Sequence, residues 1–507
     1  MRGVPLGCLL ATACVAPGPD GDVVDPDAVA PWDPPSLSGV LPGAPAPSAL
    51  REAVVAGLEG LALAGADGTR AVATPGYAAS VDHVVARLEA VGLEPVLAFT
   101  RVKAWRILGQ GLDGPDGPVP AELLGVLRGS PAGEVQAPLV HVDLLVPDGI
   151  GSACEDDDLL GFPPGAVAVV RRGGCFHVDK VQRAADAGAV AVIVVQDGRE
   201  PPHVPTYGSL GDAPPAGVPV VGAAADALAW LPEGGIGRVR VDSQLLDEDV
   251  PSVLVDLPGD DGAVWMAGAH LDSVTAGPGL NDNGSGVAAV LAVAEALAAA
   301  PEGRHPVRLA FWGAEELGLL GSRALVDEGL ADDVVAYLNV DMVGSPNGRH
   351  MVYDVDGDEL ERTIGAFLPL EAALEDALRD ALARRGWPVA QAVVEGRSDH
   401  TGFTLAGVPV GGVFTGAGLP LPDTWVERHG GEAGVAHDAC YHAACDTLAN
   451  VDVARVEGAA AALLDVLRDA RVGRFDEAAA ASWGAVAPPV LALQDGPDGC
   501  MGPQPRR

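Results

Sequence analysis

The chain has 507 residues, 48% of them hydrophobic, and a formal net charge of −39. That length predicts two domains plus tails, with ample aliphatic content for a large core. So acidic a balance argues against nucleic-acid binding, which needs a basic face, and no stretch reaches the roughly 20 apolar residues that span a bilayer.

The chain opens on a processing signal. Residues 1–16 hold one early Arg, a short apolar run and then Ala-Thr-Ala-Cys. This fits both a lipoprotein cleavage box, with a lipid anchor at Cys14, and an ordinary signal peptide; either predicts export. Residues 17–47 are rich in Pro, Asp and Ala and read as a solvated linker. SALREAVVAGLEGLAL and SVDHVVARLEAVG are helical patterns of an outer layer. They fall in 48–114, the first part of the main domain. A second domain is expected over 115–245. Within it, GAVAVVRRGGCFHVDKVQRAADAGAVAVIVVQDG reads as strand, Arg/Gly turn, helix, small-residue turn, strand. Its His177, Asp179 and His203 are scattered and read as surface polar groups. Residues 246–475 complete the main domain, and 476–507 form a tail, of low complexity from about 484.

The chemistry concentrates in 246–475. VWMAGAHL is an apolar run of strand length ending at His270, and Asp272 faces the same way two residues on. Asp272 is then placed to accept the other ring N–H of a ligating histidine. GPGLNDNGSG, with Asp282, is a loop turning into an Ala-rich helix over Val287–Ala300. VRLAFWG is a second buried strand, followed by Glu315 and Glu316; LNVDMVG is a third, containing Asp341. His442 lies in CYHAAC. Each alone is unremarkable chemistry: strand-end histidines are commonly structural, and a Glu pair is usually solvated surface. Together they gather at strand ends of an alternating strand–helix region, where open α/β sheets place their sites. Buried carboxylates and imidazoles are costly unless paired or metal-bound. Two imidazoles and three carboxylates suit a pair of zinc ions, with one carboxylate to spare.

These segments resemble the co-catalytic zinc aminopeptidases of metallopeptidase family 28, the group of secreted bacterial leucyl-type aminopeptidases and vacuolar aminopeptidase Y. The likeness lies in GAHLDSV, GLNDNGSG, AEELGLLGS, NVDMVG, GRSDHTGF, GVPVGGVFTGA and CYHAACDTLANV, covering roughly 250–470, with a weaker match at 68–92. The resemblance implies an α/β fold, a mixed, largely parallel sheet with helices on both faces, plus an inserted β-rich α/β protease-associated domain. It implies that one zinc is held by His270 and Asp341, the other by Glu316 and His442, and that Asp282 bridges them. Glu315 becomes the general base and Tyr441 the phenol that stabilises the oxyanion. The main-chain carbonyl of Arg397 helps bind the substrate's free amine, and Phe414 walls the S1 pocket. The Asp282–Asn283 bond is implied to be cis. The substrates are peptides, cut at hydrophobic N-terminal residues, and a monomer is expected.

Two other classes stay open: a binding protein that kept the scaffold without the chemistry, and a carboxypeptidase or glutaminyl cyclase variant. A complete ligand set with Glu315 argues against the first, and GRSDH and CYHAAC lean away from the second. Of seven cysteines, Cys8 and Cys14 belong to the leader and Cys500 to the tail. Cys440 and Cys445 carry the family's small disulfide loop by resemblance, although thiolate ligation is the alternative. Cys154 and Cys175 are expected to pair. Two disulfides fit an exported chain.

Overall fold

The computed structural model describes residues 48–144, 152–155, 157–197, 202, 203, 205, 206, 208–210, 217–300, 302–357, 364, 365, 367–483, 493–495 and 501–503. The expected leader, linker, Cys14 and Cys500 lie outside these residues. The chain divides into two compact units, with changes of unit at Val102/Lys103 and Glu248/Asp249.

The unit that holds the ligand-type residues is built on one strand. Val264–His270 is buried at all seven positions. It pairs in parallel with Val307–Trp312 on one side and Val334–Val340 on the other. The sheet continues through Val410–Phe414, parallel to Val334–Val340, and then His350–Asp354 and Val389–Val393. Residues 253–257 add an antiparallel strand beside Val307–Trp312. A continuous apolar run is what a strand covered on both faces requires. On one face Met266, Trp312, Tyr337 and Phe403 pack together, with the Tyr337 and Phe403 rings stacked at 4.1 Å. On the other lie the long helices Ala49–Ala64, Gly284–Ala298 and Val453–Arg471, which pack against one another.

The helix starts follow from local sequence. Ser48 caps the first helix by accepting from the Arg51 N–H, and Thr74, with Pro75 next, caps Pro75–Ala90. The helix expected from Val287 begins three residues earlier, at Gly284, because the Asn283 side chain accepts the Gly286 N–H. Residues 476–483, expected as tail, form a further helix, Asp476–Trp483. Phe475 before it sits 5.5 Å from the Trp265 ring, and Ser482 within it accepts the Leu370 N–H at 2.8 Å.

The other unit is also built largely on parallel strands. Gly133–Val142, Val167–Arg171, Ala191–Val195 and Val220–Ala223 run parallel in that order, and residues 236–241 pair antiparallel with 133–138. Its helix His177–Asp186 matches the expected strand–turn–helix–turn–strand pattern, and Cys154 and Cys175 are disulfide-bonded. One expectation is corrected: His177 is not on the surface but 3% exposed. It lies on the helix face that also buries Lys180, Val181 and Ala184, one turn apart. Among the described residues, no helix is long and apolar enough to cross a membrane.

Candidate active site

Strand ends and the loops beyond them bring the six residues together. His270 closes its strand, and its Nε2 faces three carboxylates: Asp282 Oδ1 at 3.2 Å, Asp341 Oδ1 at 3.5 Å and Glu315 Oε2 at 3.9 Å. Across the site, His442 Nε2 lies 3.1 Å from Asp282 Oδ2 and 3.2 Å from Glu316 Oε2. Two triads therefore share Asp282: His270–Asp282–Asp341 and Asp282–Glu316–His442, each with its ligand-type atoms within 4.8 Å of one another. The peptide between Asp282 and Asn283 is cis. Asp341 stands just past its strand, which ends at Val340, rather than inside it.

Asp272 sits as expected beside His270, but with a different contact. The nearest acceptor to His270 Nδ1 is the Asp272 main-chain carbonyl, at 3.1 Å; the carboxylate is at 3.7 Å. Extended geometry ends at His270, so the carboxylate turns to another task. It accepts the main-chain N–H of Glu315 at 3.1 Å and of Glu316 at 3.3 Å, holding both acidic residues from behind.

The electrostatics are those of a buried acidic cluster. Burial raises Glu315 well above the usual carboxylate range, and Glu316, Asp399 and Asp341 add to the shift. Burial likewise raises Glu316 and lifts Asp399 to about 7. Burial opposes a charge on His270, but Glu315 and Asp341 outweigh it and raise the imidazole well above its ordinary value. The same contest at His442 is won by Glu316 and its neighbours. Among the described residues, Glu316 Oε1 and Asp341 Oδ1 are buried without a hydrogen-bond partner. One belongs to each triad. Unpartnered buried carboxylate oxygens are costly, and a nitrogen-and-oxygen donor set is what zinc takes. The residues present fit a bound metal.

Tyr441 stacks on His442 with ring centroids 3.9 Å apart, and burial pushes its phenol up to about 12. Cys440 and Cys445, disulfide-bonded, bracket both residues. Arg397 is half-exposed, 3.7 Å from Glu395, and its charge is felt at Tyr441. Phe414 ends its strand half-buried against the aromatic face of the core.

Sequence reasoning missed two supporting residues. Arg70 is fully buried and donates to the carbonyls of Leu271, Pro278 and Gly279, bracing the loop between His270 and Asp282. Ser398 donates to Asp341 Oδ2 at 2.7 Å. The only signals were a charged residue inside GTRAVA and a hydroxyl inside GRSDH.

A parallel-strand scaffold thus presents two imidazoles, Asp282 shared between them and further carboxylates at its strand ends. The chain belongs to peptidase family M28, whose family model matches residues 252–467, and it contains a PA domain, matched at residues 135–231. It is 37% identical over 401 residues to an aminopeptidase of Pseudomonas aeruginosa, covering 76% of this chain and 74% of that one. It is 38% identical over 399 residues to a Mycobacterium tuberculosis protein named "Probable lipoprotein aminopeptidase LpqL", covering 76% and 77% of the two chains. The fold is shared with a zinc aminopeptidase from Bacillus subtilis, at a TM-score of 0.61 and 23% identity, covering 85% of this chain and 96% of that one.

Proposed function

We propose that this chain is an exported aminopeptidase that uses two zinc ions to release neutral, preferably hydrophobic, N-terminal residues from peptides. The observation that carries the reading is the division of Asp282 between His270 and His442, each completed by a further carboxylate. His270 and Asp341 would hold one ion, Glu316 and His442 the other, and Asp282 would serve both. Zinc bound there supplies Lewis acidity and lowers the pKa of water to near neutrality. Glu315, whose carboxyl is raised by burial, takes the proton of the attacking water and returns it to the leaving amine. Tyr441 donates its phenolic hydrogen to the developing oxyanion. Glu315, Asp341 and the Arg397 carbonyl receive the substrate's ammonium, and Phe414 lines the pocket for the first side chain.

The assignment of residues 48–114 and 246–475 to the peptidase and 115–245 to the PA insert belongs to this proposal, as does a monomeric state. Export is supported by the leader-like 1–16 segment and by the lipoprotein name of the mycobacterial relative. The deciding experiment joins metal analysis of the purified protein to cleavage of a panel of aminoacyl p-nitroanilides before and after chelation. Two equivalents of zinc with chelator-sensitive release of leucine is the expected result. Active protein holding one metal or none overturns the mechanism.

A further inference from the structure

Asn281, next to the shared carboxylate, is fully buried and uses all of its polar atoms. Its main-chain N–H donates to Asp446 Oδ1 at 2.8 Å, and its carbonyl accepts the Ser285 hydroxyl at 2.6 Å. Its side-chain Nδ2 donates to Asp438 Oδ2 at 2.7 Å and Ser345 Oγ at 3.0 Å, while Oδ1 accepts the Gly344 N–H at 3.0 Å. Asp446 in turn takes three successive amides. Its carbonyl accepts Leu280 N–H at 3.1 Å, and its carboxylate accepts those of Asn281 at 2.8 Å and Asp282 at 3.0 Å. Asn450 Nδ2 joins the two acids, donating to Asp438 Oδ1 at 2.9 Å and Asp446 Oδ1 at 3.3 Å.

The segments so tied are the ones that bear ligand-type residues. Asp282 follows Asn281. Gly344 lies three residues after Asp341. Asp438 and Asp446 enclose His442 and its disulfide loop. We propose that Asn281, Asp438 and Asp446 are positioning residues that fix the spacing of these three loops, and that the strength of metal binding is what they govern. The inference rests on the two-zinc reading. Neither acid side chain is in either ligand triad; each is occupied by N–H donors from the loops it joins. A metal site needs its groups held within about 0.5 Å, and partners one shell out typically change affinity about 10–100-fold.

The test measures zinc affinity by competition with a chelator, alongside the unfolding midpoint of the zinc-free protein. Asp446→Asn turns an NH₂ donor toward one of two amide N–H groups. It is expected to weaken both zinc equivalents about 10–100-fold, because Asp282 serves both. Asn281→Asp sets a carboxylate against Asp438 and should do the same. The double variant Asn281→Asp/Asp438→Asn reverses the direction of that hydrogen bond and should restore most of the affinity, which bears on the idea even if Asp446→Asn fails to fold. Unchanged zinc affinity with a lowered midpoint would make the network merely structural and overturn the inference, as would a double variant no better than Asn281→Asp. Wild-type protein holding fewer than two zinc ions would instead overturn the two-zinc reading itself.

Discussion

The carboxylate of Asp282 faces His270 with one oxygen and His442 with the other, at 3.2 and 3.1 Å. No other side chain in the site is shared by both triads. Asp282→Asn removes the negative charge and one of the two oxygens that the ions would share, so loss should not be confined to one metal. The expected outcome is a fall in bound zinc from two equivalents to below one, with activity lost in parallel, read by elemental analysis. A variant that keeps two equivalents would show that Asp282 does not bridge.

Glu315 and Glu316 are neighbours with different surroundings. Glu316 lies 3.2 Å from His442 Nε2, whereas Glu315 reaches only His270 Nε2, at 3.9 Å. Glu315→Gln should therefore keep both metals and slow turnover by about 10²–10⁴-fold, the usual contribution of a positioned acid–base group. Near-normal kcat with intact zinc would move the base to another residue.

Much of this site was legible because metal-ligand chemistry narrows the residue types. His, Asp and Glu at the ends of apolar runs stand out, and VWMAGAHL and VRLAFWG announce strands by hydrophobicity alone. The same alternation placed these residues at strand ends, while the mixed, largely parallel sheet was what the family resemblance implied. What stayed hidden depends on contacts between distant segments. Arg70 braces carbonyls some 200 residues away. Asp272 was read by strand periodicity as a ring acceptor, yet its carboxylate serves the Glu315 and Glu316 amides because the strand has already ended. His177 was read as surface because no motif surrounds it; only the helix it begins turns it inward.

The disulfide between Cys440 and Cys445 closes a loop with a sequence separation of 5, and so short a loop gains little chain entropy from closure. Its effect should be positional, through Tyr441 and His442 inside it. Cys440→Ser/Cys445→Ser is expected to lower kcat and zinc retention while shifting the unfolding midpoint little. A large midpoint shift with unchanged kinetics would assign the bond to stability instead.

His177 sets an acid limit on its own unit. Both ring nitrogens are buried without a partner among the described residues. Burial, aided by the charges of Arg172 and Lys180, lowers its pKa to about 4. The unfolded chain protonates near 6.5, so between about pH 6.5 and 4 the unfolded state binds more protons and stability falls with acidification. The contribution is full above pH 6.5 and is lost on the way down to 4. His177→Phe removes this proton uptake. Relative to wild type, the variant should gain about 3 kcal/mol between pH 7 and pH 4, followed by urea unfolding at several pH values. Parallel pH profiles for the two proteins would trace the acid sensitivity to other groups.

The end of the peptide that is cut follows from the charge around His270. Glu315 and Asp341 both converge on its Nε2, at 3.9 and 3.5 Å. A region so rich in acceptors suits a substrate's free ammonium. An acetylated amine brings no charge and fewer donors, leaving those oxygens unpaired. Sites that lose such a contact can discriminate by as much as about 10⁴–10⁵-fold. Leucyl p-nitroanilide should therefore be cleaved, and its N-acetyl form left essentially intact under the same conditions. Asp341→Asn should narrow the gap by weakening the free-amine substrate, provided zinc content is measured beside it to separate amine binding from metal loss. Comparable cleavage of the acetylated compound by the wild-type protein, or release from the C-terminus alone, would overturn the aminopeptidase assignment while leaving the two triads and their metal chemistry in place.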